Sequence, residues 1–146
     1  MEAAINILSW LQPYTLSLLV LAALCLIVLL QALLTAPLAF IKEEQAPGGP
    51  LNGDASHLSF RVVRTHANSV ETLHPFGFAL LLAIITGVSA ALVNIIAAVF
   101  LVARLAFWAA YYSGAGKHAG GPRTLCFVAG LLANTVLIIS AAIKLL

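Results

Sequence analysis

The sequence predicts an all-α integral membrane protein: a bundle of four transmembrane helices forming a single domain over residues 1–146. Three observations carry this. Hydrophobic residues make up 62% of the chain and charged residues only 8%, whereas a soluble domain carries about 25% charged residues. The mean hydropathy is +1.07. Four apolar stretches each hold about 20 residues or more, enough to cross a hydrocarbon core of about 30 Å as a helix. Lipid offers no partner to open backbone groups, so the spans must be helical.

The first span is predicted over about 14–41. It resembles a signal peptide in hydropathy but is too long, lacks a basic leader and shows no clear cleavage site, so it is expected in the mature protein. Ala46-Pro47-Gly48-Gly49-Pro50 and Asn52-Gly53-Asp54 form a turn-rich polar connection. The second span is predicted over 56–89, with a polar entry and an apolar body. Ser89-Ala90-Ala91 leaves almost no loop before the third span, 91–112. Glycines between Gly114 and Pro122 lead to the fourth, 123–146, and Pro122 suits a first helical turn because its missing N–H is not needed there. Lys42, Arg61, Arg64, Lys117 and Arg123 lie on one side and Lys144 on the other. The positive-inside rule therefore places loops 42–57 and 113–122 in the cytosol and both termini outside. Short loops suit a bacterial inner membrane better than the endoplasmic reticulum.

Composition also excludes. A net charge of +2 without a basic patch gives no case for nucleic acid. Cys25 and Cys126 are isolated, and no histidine pair has metal-site spacing on one helix, so no metal is expected. No phosphate loop, nucleophile elbow or dinucleotide fingerprint occurs.

The chemistry concentrates in the second span. Arg61, Arg64, Asn68 and Glu71 recur at helical spacing, with Pro75 next, all within roughly 80° of one face. Charges there cost roughly 2.5–3.5 kcal/mol each at mid-membrane, so they must be paired or used. On the third span Arg104, Trp108 and Tyr111 share a face. An Arg104–Glu71 pair locking spans two and three is the expected structural role of Arg104. Gln31, Asn94 and Asn134 read as interhelical hydrogen-bonding residues. His66 points about 160° away from Asn68.

The run Arg64-Thr65-His66-Ala67-Asn68-Ser69-Val70-Glu71-Thr72-Leu73-His74-Pro75-Phe76 resembles the signature of the MAPEG family, membrane-associated proteins in eicosanoid and glutathione metabolism. The family pattern is Arg-Ala-His-x-Asn-x-x-Glu-x-x-x-Pro-Phe, and Thr65 is the one departure. Phe100-Leu101-Val102-Ala103-Arg104, Tyr111 and Arg123 extend the likeness, which suggests a short bacterial-type member.

The resemblance implies a homotrimer with sites between neighbouring subunits, opening toward the cytosol. It implies glutathione as co-substrate, with a lipophilic small molecule arriving from the membrane lipids. By position, Arg64 would bind a glutathione carboxylate, Asn68 and Glu71 its polar atoms and amino group, and Tyr111 would line the site. Arg123 would stabilise the thiolate, with Arg104 an alternative or structural arginine. Glutathione's two carboxylates and one ammonium call for arginine forks and one acid. An adjacent arginine also favours the thiolate of a thiol with pKa about 8.5.

The chain departs from catalytic members at Ala39, Ala67 and Phe107, where donors are expected. Three readings follow. One is a microsomal-type glutathione transferase or peroxidase acting on lipophilic electrophiles. The alternative is a non-catalytic trimeric scaffold, or an accessory subunit of a larger membrane complex, whose charges are structural. The third is a small transporter, disfavoured by the lack of repeats and broken helices.

Overall fold

The computed structural model describes residues 9–42, 45–46, 48–115 and 120–146. Pro47, Lys117, His118 and the side chain of Ala39 lie outside the described residues. A short 3-10 turn, Gln12–Tyr14, leads into four helices: α1 (Thr15–Phe40), α2 (Leu58–Ile85), α3 (Ala90–Tyr112) and α4 (Pro122–Leu145). All four are long and apolar enough to cross a membrane. Helices α2 and α3 form the centre; α1 packs on both of them from one side and α4 from the other.

The α2–α3 corner sits earlier than the sequence predicts. α2 ends at Ile85 rather than near Ser89. Gly87, at φ 72°, takes the left-handed position that stops the helix. Its N–H donates to Ile84 O at 3.0 Å, and that of Val88 to Ala83 O at 2.9 Å. This is the paired-bond ending that glycine permits at low conformational cost. Ser89 then caps α3, accepting from Leu92 N at 3.4 Å. The apolar character of Val88 hid the turn. α4 begins at Pro122, in the first-turn position expected of it.

The N-terminal turn is tied to this corner. Tyr14 donates to Val88 O at 2.6 Å. Asn94 donates to Pro13 O at 2.9 Å and accepts from the Ser17 backbone and hydroxyl. Asn94 is thus the interhelical link expected of it. Gln31 of α1 lies beside the Tyr112 hydroxyl of α3, whereas Gln31 Oε1 and Asn134 Oδ1 have no hydrogen-bond partner among the described residues.

The interior is built from Leu24 of α1, Phe76, Leu80 and Ala83 of α2, Val93, Ala97 and Phe100 of α3, and Leu137 and Ala141 of α4. Phe76 stacks on Phe100 with centroids 3.9 Å apart and planes 4° from parallel. Alanines at helix contacts let the backbones approach, which matters where lipid removes the hydrophobic drive between helices. Outward faces carry exposed Leu33, Phe78 and Leu132, as a surface solvated by lipid or by another apolar chain requires.

Candidate functional site

Helix α2 rotates its polar stripe toward α3 and α4, but the stripe divides. Arg61 leaves it: Nη1 donates to Ala55 O at 3.0 Å and Ser56 O at 2.8 Å, fastening the loop before α2. Its guanidinium lies against Gly114, where a Cβ would sit 3.5 Å from Cζ. The site proper starts one turn later. Arg64 Nη1 contacts Glu71 Oε1 at 3.1 Å, an ion pair whose side chains are 40% and 55% exposed. Asn68 Nδ2 reaches Glu71 Oε2 at 3.5 Å, a long contact.

The expected Arg104–Glu71 pair is not formed. Arg104, 2% exposed, donates from Nη2 to Asn68 Oδ1 at 2.7 Å. Its guanidinium lies 4.5 Å from the Phe107 ring centroid and 6.0 Å from that of Trp108. Glu71 is taken by Arg64 instead. Two turns apart on one helix, those side chains meet without spanning the gap to α3. One residue along from Asn68, Ser69 accepts from Trp108 Nε1 at 2.8 Å and donates to Thr65 O at 2.9 Å. Two parallel side-chain bonds therefore fix how α2 is turned against α3.

These groups border two adjoining clefts. The first, about 250 Å³, is lined by Arg64, Asn68, Phe107, Tyr111, Arg123, Thr124 and Phe127. Arg123 stands over Tyr111, its Cζ 4.8 Å from the ring centroid, an arrangement in which the aromatic face steadies the cation. The second cleft, about 170 Å³, shares Phe127 and is bordered by Glu71, Thr72, Arg104 and Asn134 with apolar walls. The structure thus gathers all six candidate residues: Arg64, Asn68, Tyr111 and Arg123 around one cleft, Glu71 and Arg104 around its neighbour. His66 lies elsewhere, bordering a cavity against α1 together with Thr35 and Phe40. Among the described residues no His, Cys, Asp or Glu cluster could hold a metal.

Thr124 and Phe127 escaped the sequence reading, and Asn134 reads there only as an interhelical hydrogen-bonding residue. They fall on one face of α4, but a hydroxyl, a ring and an amide at helical spacing look like ordinary packing. Only the adjacency of Thr124 to Arg123 offered a signal.

Two arginines converging on one cleft, with a carboxylate bordering its neighbour, suit a small, multiply charged ligand. A comparison with curated proteins finds no match. The chain does match the MAPEG family over residues 14–143, and so covers all four helices. It is a multi-pass integral membrane protein, and it belongs to the MAPEG family.

Proposed function

We propose that the protein is a glutathione-dependent transferase or peroxidase that conjugates or reduces lipophilic electrophiles at a site between subunits of a homotrimer. The observation that carries this is the convergence of Arg64, Asn68, Tyr111 and Arg123 on one cleft, with Glu71 beside it. The donor set fits glutathione: Arg64 for a carboxylate, Glu71 for its ammonium, Asn68 for its peptide groups, and Arg123 for its thiolate. Bound glutathione would supply the thiolate that attacks an electrophile or peroxide. Arg123 favours that thiolate, and Tyr111 holds Arg123 in place.

Two features speak for a second copy completing the site. A cleft of about 250 Å³ falls below the roughly 300–1,000 Å³ of sites that enclose a small molecule. Glu71 is also half-exposed in the middle of a helix long enough to span, where a neighbouring chain can cover it and lipid cannot. In this reading the polar loops face the cytosol of a bacterial inner membrane.

Calorimetry of detergent-purified protein against glutathione, with thiolate absorbance read in parallel, is the test. Arg64→Ala and Glu71→Ala should abolish binding while the trimer persists. Arg123→Ala should lose the thiolate signal. Unchanged affinity in the first two variants would refute the enzyme. Dissociation of the trimer in Glu71→Gln would favour the scaffold instead.

A further inference from the structure

Asn68 stands between a cation and a carboxylate, and the two fix which way its amide faces. Arg104 Nη2 donates to Asn68 Oδ1 at 2.7 Å, and Glu71 Oε2 lies 3.5 Å from Asn68 Nδ2. A guanidinium has donors and no acceptor, so only the oxygen of the amide can face it. The Nδ2 end is therefore turned away from Arg104, and Asn68 lines the first cleft. The long contact to Glu71 engages at most one of the two N–H bonds on Nδ2. Arg104 itself does not line that cleft. It is 2% exposed and touches Asn68 and the Phe107 ring, which do line it. Its charge also polarises the amide, which strengthens the opposite N–H as a donor.

We propose that Arg104 is a positioning residue: by holding Asn68 Oδ1 it presents the Asn68 N–H group to the first cleft, where that group donates to a peptide carbonyl oxygen of the thiol. This rests on the thiol-binding reading above and adds the polarity of one contact: an acceptor, and not an ammonium group, meets Asn68. Without Arg104 the amide can turn over. The rings of Phe107 and Trp108 flank the guanidinium, and Trp108 Nε1 is already given to Ser69. They offer an amide oxygen no donor, whereas an N–H can rest on their faces. Only the fraction of molecules with the N–H toward the cleft then binds well, and the apparent affinity falls by that fraction.

The experiment is a double-mutant cycle read by glutathione calorimetry on detergent-purified protein, with thermal unfolding to show that each variant is folded. Asn68→Ala and Arg104→Met should each weaken glutathione about tenfold, whereas the double variant should be no more than about twofold weaker than Asn68→Ala. Losses that multiply to about a hundredfold would show Arg104 acting on the ligand directly, and would overturn the positioning role. Asn68→Asp tests the polarity with Arg104 left in place. It keeps the shape and the bond from Arg104 but turns an oxygen toward the cleft, so it should bind glutathione more weakly than Asn68→Ala. Binding tighter than that of Asn68→Ala would mean that an ammonium meets this position, and would overturn the proposal while leaving the thiol site intact. Wild type that binds no glutathione would overturn the parent reading, and this inference with it.

Discussion

Arg104 offers the sharpest test, because its setting sets stability against binding. The side chain is 2% exposed, held by one neutral amide oxygen at 2.7 Å and two aromatic faces. Were it paired with Glu71, removing it would cost about 3–5 kcal/mol by stranding a charge. It is not so paired, and Arg104→Met should behave differently. Methionine keeps most of the length and fills the space. The substitution strands Asn68 Oδ1, at about 1–3 kcal/mol, and loses a desolvated cation–π contact of about 2 kcal/mol. Against these stands release from burying a charge, worth several kcal/mol. The terms nearly offset. Since 1 kcal/mol shifts Tm by roughly 2–4 °C at this size, Arg104→Met should stay within about 4 °C of wild type. Arg104→Ala adds a cavity worth roughly 2–5 kcal/mol and should fall by about 10 °C. Both variants should lose glutathione affinity at least tenfold, an estimate scaled to one charged contact. Thermal unfolding in detergent and calorimetry read the two quantities. Arg104→Met falling as far as Arg104→Ala, with glutathione affinity kept, would refute the reasoning.

Two further outcomes follow from named contacts. Gly87→Ala forces a side chain into a left-handed turn, where it meets no clash but carries conformational strain. Stability should fall by about 1–2 kcal/mol with ligand binding unchanged, as checked by thermal unfolding. Trp108→Phe removes the donor to Ser69. A hydrogen bond of this kind inside a membrane averages about 0.6 kcal/mol, so stability should change little. Glutathione affinity should fall by a few-fold, because Ser69 adjoins Asn68 and sets the rotation of α2; an unchanged affinity would deny it that role.

The parts of the fold legible in the sequence were those governed by period and length. Four apolar runs gave four helices, and the spacing of Arg64, Asn68 and Glu71 placed them together because a helix face is fixed by 3.6 residues per turn. Pairing was less legible. Charge balance alone suggested Arg104–Glu71, yet Arg64 is nearer along the same helix and reaches Glu71 first. The α2 ending was missed because one glycine at positive φ does not interrupt a hydropathy profile. Residues of α4 such as Phe127 and Asn134 gained meaning only from the rotation of that helix against α2 and α3, which no local pattern records.

Whether the polar groups serve assembly or a ligand turns on where their unmet valences lie. An assembly network gains most when its members satisfy one another, and half-satisfied networks are costly in a low dielectric. The Arg64–Glu71 pair is exposed enough for a neighbouring chain to complete, so by itself it favours neither reading. Arg104 and Asn134 are different. They are buried within one chain at 2% and 7% exposure, the first with no carboxylate at ion-pair distance among the described residues and the second with an unmatched acceptor. A neighbouring helix backbone laid against the surface does not itself fill a cleft of about 170 Å³ lined by Phe127 and Leu131. A small ligand can. The cost of keeping two such groups inside a span is therefore better explained by binding than by assembly.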